Sequence, residues 1–272
     1  MKKSLKYREC MADVRRVVVK IGSRVLVQKT GRPDMRVMRR LIRDLAMIKK
    51  SGREVLVVTS GAVGAGMEVL GMTERPATLP ELQMAAAVGQ TRLMSRYYDL
   101  FKKHGCKVGQ VLLTHSDFQH KVRLSNARRT METLLRHGVI PVINENDVVA
   151  DEEIRADLAL RDNDLLAALV VKMTRADLLA ILTTTNGVKQ PDATGRMHRI
   201  RYIESVNRSV FQLVNAGPST LSRGGMLSKL KAARSAAASG CSVVIAEGRK
   251  PDVLPRILAG RDEGTLVLAG GL

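Results

Sequence analysis

The chain has 272 residues, 45% of them apolar, which is enough to bury a substantial core, yet aromatics are 3% and Trp is absent, so Ala, Val, Leu and Met must fill the interior. The formal net charge of +19 has three readings: nucleic-acid binding, steering of small anions, or a solvated basic face. The basic residues are not interleaved with aromatics, which argues against a single-strand stacking surface, so nucleic-acid binding is expected to be weak and non-specific at most. Three scattered cysteines without metal spacing, no apolar h-region near the N-terminus and no run of membrane length point to a reduced, cytoplasmic protein without signal peptide or membrane span.

Residues 1–15 read as a basic N-terminal extension. Residues 17–21 are a β-branched run and predict a buried strand, with Lys20 near its end and Gly22 and Ser23 just beyond. Residues 36–50 place Val37, Met38, Leu41, Ile42, Leu45 and Ile48 on one helical stripe, stopped by Ser51 and Gly52. Residues 55–58 predict a second strand, running into Thr59, Ser60, Gly61 and the small residues Ala62, Gly64, Ala65 and Gly66. A long helix over 81–101, a strand over 108–113, a helix over 125–137 and a strand over 139–143 follow. Residues 165–172 suit a packed helix ending near Met173, and residues 178–182 a strand that runs into Thr183 and Thr184. Residues 191–201 are polar and predict a loop with a small hairpin. Gly224 and Gly225 are expected to open a helix through Lys229 to Ser239, before strands at 242–246 and 264–268. Strands alternating with helices predict an α/β fold with a mainly parallel sheet covered on both faces.

The polar residues gather where strands end. Asn144, Glu145, Asn146 and Asp147 follow one strand, and Asp162, Asn163 and Asp164 precede the next helix. In open α/β sheets that edge is the ligand crevice. Helix capping by Asp162 or Asn163 is the plainer alternative. Small residues at Gly22, at Ser60-Gly61 and at Gly224-Gly225 let backbone N–H groups approach an anion, which Lys20 and Lys229 could also reach. No P-loop, no G-x-G-x-x-G and no H-E-x-x-H occurs, and His115 and His120 fit a surface better than a metal site.

Together the stretches at 18–23, 57–63, 86–90, 108–113, 141–147, 162–164 and 224–229 resemble the amino acid kinase family, in family order and across most of residues 16–268. The resemblance implies an open three-layer αβα sandwich, with a substrate lobe over about 16–173 and a nucleotide lobe over about 174–272. It implies transfer of the γ-phosphoryl group of ATP, with Mg²⁺, to the γ-carboxylate of L-glutamate, the first step of proline synthesis. By motif, Lys20 and Lys229 would neutralise charge on the moving group and Asp164 would orient them. Ser60, Gly61, Asp147, Asp162 and Asn163 would hold glutamate. Lys20, Gly22, Thr183, Thr184, Arg223, Gly224, Gly225, Met226, Leu227, Ser228 and Lys229 would line the nucleotide site. No protein metal ligand is implied. The resemblance also raises proline as a feedback inhibitor and a homo-oligomer, dimer or tetramer.

Four features depart from the family pattern. Many relatives have Asp at the place of Thr184 and Tyr at that of Lys189. Gly commonly stands where Arg161 does. The spacer 148–161 is a few residues longer than in typical bacterial relatives. Many of those carry a C-terminal PUA domain, for which this chain leaves no room. Two alternatives remain: a sister kinase for another carboxylate or carbamate, and a catalytically weak member that binds nucleic acid or a partner through its basic surface.

Overall fold

Apolar runs too short for helices and bounded by turns become strands buried on both faces. The computed structural model describes residues 8–28, 33–149, 163–215 and 220–270, with the side chains of 214–215 and 220–224 outside the description. In chain order the strands are β1 (Arg16–Ile21), β2 (Glu54–Val58), β3 (Lys107–Leu113), β4 (Val139–Glu145), β5 (Leu178–Thr183), β6 (Lys189–Pro191), β7 (Met197–Arg199), β8 (Tyr202–Ile203), β9 (Ser242–Glu247) and β10 (Thr265–Val267). Eight of them form one sheet in the order β3-β4-β2-β1-β5-β9-β10-β8, and β6 and β7 make the expected small hairpin. The sheet is parallel from β3 to β9; β10 runs antiparallel to β9, with β8 parallel to β10.

The helices are α1 (Met35–Lys50), α2 (Ala62–Val69), α3 (Leu79–Lys102), α4 (His115–Gln119), α5 (Lys121–Arg136), α6 (Asn163–Thr174), α7 (Arg208–Asn215), α8 (Thr220–Ala237) and α9 (Val253–Leu258). Successive strand residues point to opposite faces. Val17, Val19 and Ile21 of β1 therefore pack with α1, α3 and α9 in one apolar cluster. Val18 packs with α5, α6 and α8 in the other. The result is the expected three-layer αβα sandwich. Lys20 shares its parity with Val18, so its side chain enters the α6 and α8 layer.

The elements differ from those the pattern predicts at several places: α4, α7, α9 and β8 are additional, α6 starts at 163 rather than 165, and β4 runs to 145 rather than 143. Helix α2 was not predicted, because Gly64 and Gly66 are poor helix formers. Tertiary packing holds it: a Cβ on Gly66 would lie 1.8 Å from the Ala85 carbonyl oxygen, and one on Gly89 1.8 Å from that of Ala62. The two helices touch backbone to backbone there. Helix α3 starts two residues early, at a capping box in which the Thr78 hydroxyl donates to Glu81 at 2.7 Å. Helix α5 starts at Lys121 rather than at 125, and α8 starts at Thr220, so Gly224 and Gly225 lie inside it rather than opening it.

Two of the basic residues near the N-terminus are structural. Arg8 is 2% exposed, and its guanidinium donates to the carbonyls of Arg201, Arg261, Glu263 and Gly264 at 2.9–3.2 Å. Burial lowers its pKa, against the opposing pull of Asp262. Arg16 pairs with Glu54 and Glu132, each at 2.7 Å.

Candidate active site

Parallel strands place their C-terminal ends at one edge of the sheet. The register aligns Ile143, Val58, Lys20, Ile181 and Ile245 in a row across β4, β2, β1, β5 and β9. Just beyond that row lie Asn144, Thr59, Gly22 and Thr183. Gly22 closes on β5, its N–H donating to the Leu182 carbonyl at 3.0 Å.

Behind this edge sits a charged triad. Asp164, in the first turn of α6 where a carboxylate suits the helix dipole, is fully buried. Its Oδ1 lies 2.5 Å from Lys20 Nζ and its Oδ2 2.8 Å from Lys229 Nζ, which also donates to the Gly225 carbonyl at 3.1 Å. Lys20 is 4% exposed and Lys229 9%. Burying an ammonium unpaired costs several kcal/mol, on the order of the effective penalty per ion in real proteins, so the shared carboxylate is what lets both cations sit here. Two cations on one carboxylate leave a net positive charge at the sheet edge, which suits an anion.

Next to the triad is a cleft of about 330 Å³. Ser60, Gly61, Asn144, Asp147 and Asn163 line it, together with Arg75 and Arg96. Gly61 has φ 106°, a left-handed turn that lets the chain leave β2 and begin α2 with its N–H groups toward the cleft. The Ser60 hydroxyl donates to the Ile21 carbonyl at 3.1 Å, tying the β2 turn to β1. Asn163 donates from Nδ2 to the Thr59 carbonyl at 2.5 Å and to Asn144 Oδ1 at 3.0 Å. Its side chain thus reaches across to the sheet instead of capping its own helix. The Thr59 hydroxyl meets the Tyr97 phenol at 2.8 Å, and burial pushes the Tyr97 pKa up to about 12, so it stays protonated.

The structure therefore brings Ser60, Gly61, Asp147 and Asn163 into one cleft and joins Lys20, Asp164 and Lys229 beside it. Gly22, Thr183 and Thr184 stand at the ends of β1 and β5, and Gly225, Met226, Leu227 and Ser228 on α8; none of these lines that cleft. Asp162 and the side chain of Arg223 lie outside the described residues, and Gly224 lies within α8. Arg75 and Arg96 were not anticipated. Arg75 sits in a Pro-flanked turn without apolar periodicity and Arg96 on a long helix rich in polar residues, so neither stands out from sequence. Arg96 is held by both carboxylate oxygens of Glu68 at 2.8 Å, whereas Arg75 is exposed.

Comparison with known proteins places this arrangement. Residues 15–247 match the model of the amino acid kinase family. A protein called glutamate 5-kinase from Pelobacter propionicus is 43% identical over 263 residues, covering 96% of this chain and 69% of that protein. Another of that name, from Thioalkalivibrio sulfidiphilus, is 45% identical over 262 residues, with the same coverage. Among solved structures, UMP kinase from Bacillus anthracis superposes with a TM-score of 0.63 over 95% of this chain and 97% of that one, at 16% identity, which speaks to the fold alone. With its αβα sandwich, its sheet-edge lysines and a family match over most of its length, this chain belongs to the amino acid kinase family.

Proposed function

We propose that this chain transfers the γ-phosphoryl group of ATP to the γ-carboxylate of L-glutamate, giving L-glutamyl 5-phosphate and ADP, as the first step of proline synthesis. The observation that carries this reading is the Lys20–Asp164–Lys229 triad beside a cleft holding both an acid, Asp147, and arginines. Phosphoryl transfer needs positioning and charge neutralisation more than covalent help. A γ-carboxylate oxygen attacks the γ-phosphorus, the bond to the bridging oxygen breaks, and ADP leaves with that electron pair. A carboxylate is already a nucleophile, so no general base is required. Lys20 and Lys229 offset the charge that builds on the moving group, and Asp164 keeps both aimed at it.

On this reading Asp147 meets the substrate α-ammonium, and Arg75 and Arg96 bring positive charge for its α-carboxylate. Thr183, Thr184 and the start of α8 serve the nucleotide, which divides the chain into a substrate lobe before about residue 173 and a nucleotide lobe after it. Mg²⁺ would come with ATP and would supply charge neutralisation on its phosphates. No helix among the described residues is long and apolar enough to cross a membrane. A coupled assay of ADP release over glutamate, aspartate, acetylglutamate and carbamate tests the whole proposal. Turnover with another acid and none with glutamate would overturn it.

Two substitutions test the cleft. Asp147→Asn keeps the size and removes the charge, so glutamate binding should weaken by roughly 1.5–3 kcal/mol, the worth of a hydrogen bond to a charged group. The KM for ATP should stay. An unchanged KM for glutamate with a lowered Tm would reduce Asp147 to a turn residue. Arg75→Ala should raise the KM for glutamate by up to about tenfold, as expected for losing one charge-assisted contact at an exposed residue, and leave Tm in place. A Tm loss without a KM change would remove Arg75 from the site.

A further inference from the structure

The cleft is backed by a run of side-chain amides whose polarity is set at one end. The Thr59 carbonyl can only accept, so Asn163 must turn its Nδ2 toward it. That nitrogen has two hydrogens, and the second goes to Asn144 Oδ1. Asn144 must then present its own Nδ2 on the far side, where it donates to Gln90 Oε1 at 2.9 Å. Each amide thus dictates the orientation of the next, from β2 through α6 and β4 to α3. Asn144 is 2% exposed and Asn163 8%, so water offers little alternative partner. The Gln90 amide nitrogen is buried and makes no hydrogen bond among the described residues. Among those residues the acceptor end of Gln90 alone is in use.

We propose that Gln90 is a positioning residue for the substrate cleft, acting through Asn144 on Asn163. With both hydrogens of Asn163 committed, the polar atom it has left for a ligand is Oδ1, an acceptor. An acceptor at that place favours a substrate that donates, such as a free ammonium, over one whose amine is acylated. Without the Gln90 acceptor, Asn144 leaves a donor unpaired and can rotate. Asn163 then loses a partner, and its Oδ1 is no longer held toward the cleft. Because Asn163 precedes Asp164 in the same helical turn, the disturbance falls first on substrate binding and only then on the triad. The inference rests on the assignment of glutamate to this cleft.

The test uses Gln90→Met, which fills the space without an acceptor, and Gln90→Glu, which keeps an acceptor and exchanges the amide N–H₂ for a second carboxylate oxygen. In unliganded protein labelled with ¹⁵N-asparagine, the Asn163 side-chain amide should be protected from hydrogen exchange in the parent and in Gln90→Glu, and should exchange at least tenfold faster in Gln90→Met. In turnover, Gln90→Met should raise the KM for glutamate about tenfold, the order expected for one buried hydrogen bond and its stranded partner, with the KM for ATP unchanged and kcat lowered less. Gln90→Glu should restore the parent KM. Equal protection in both variants would overturn the inference whether or not glutamate is the substrate. A Gln90→Met protein that loses Tm while its KM and Asn163 exchange stay at parent values would also overturn it, leaving Gln90 a packing residue. A parent protein inactive on glutamate would instead count against the proposed reaction, with the exchange result still deciding the role of Gln90.

Discussion

Replacing Lys229 with alanine is expected to lower kcat by about 10²–10³-fold, the usual cost of losing one preorganised electrostatic contact to a reacting group. The fold should survive. Alanine is the best helix former, so α8 keeps its conformation. Asp164 retains Lys20 at 2.5 Å, so no buried carboxylate is stranded. The loss should fall on kcat and kcat/KM alike, because charge on the transferring group is greatest in the transition state. Steady-state kinetics with a melting curve on the same preparation check this. Near-parent turnover would remove Lys229 from the mechanism.

Substituting Asp164 with asparagine should act on stability and on rate together. The carboxylate is fully buried between two ammonium groups, and deleting one partner of such a cluster typically costs about 3–5 kcal/mol. Two nearly buried cations would then repel at the sheet edge. A polyanion that enters between them relieves that repulsion, so ATP should raise the Tm of the variant more than that of the parent. Turnover should fall to a small fraction, since neither lysine is aimed. Denaturant unfolding with and without ATP gives the comparison. Equal ATP shifts in both proteins would contradict the assignment of the triad to the phosphoryl group.

Much of this was legible in the sequence because it depends on local pattern. A strand buried on both faces must be a continuous apolar run, so β1, β2, β4, β5 and β9 announce themselves, and a lysine within one of them is conspicuous. The period of two then puts Lys20 on the face where α6 and α8 lie. What was not legible depends on distant packing. Helix α2 exists because Gly66 and Gly89 allow two backbones to touch, against the helix propensity of its own residues. The reversed direction of β10 leaves no mark in a three-residue strand. Gln90 reads as one more polar position on α3, and its partner Asn144 lies 54 residues away. Asn163 was expected either to cap α6 or to hold substrate; it lines the cleft and does not cap, its amide hydrogens going to the turn after β2 and to β4.

The buried Arg8 bears on how the chain is made. Its carbonyl partners follow it by 193 to 256 residues. At about 5–20 residues per second of synthesis, the guanidinium waits on the order of 10–40 s for the first of them. Through that interval the Arg8 guanidinium has no carbonyl cradle and stays hydrated on the nascent polypeptide. The early-emerging strands can pair, but the hook closes only after β8 and the turn before β10 have left the ribosome. A polypeptide stalled before residue 264 would therefore leave Arg8 short of its full set of carbonyls, a mark of unfinished synthesis to any protease that samples it.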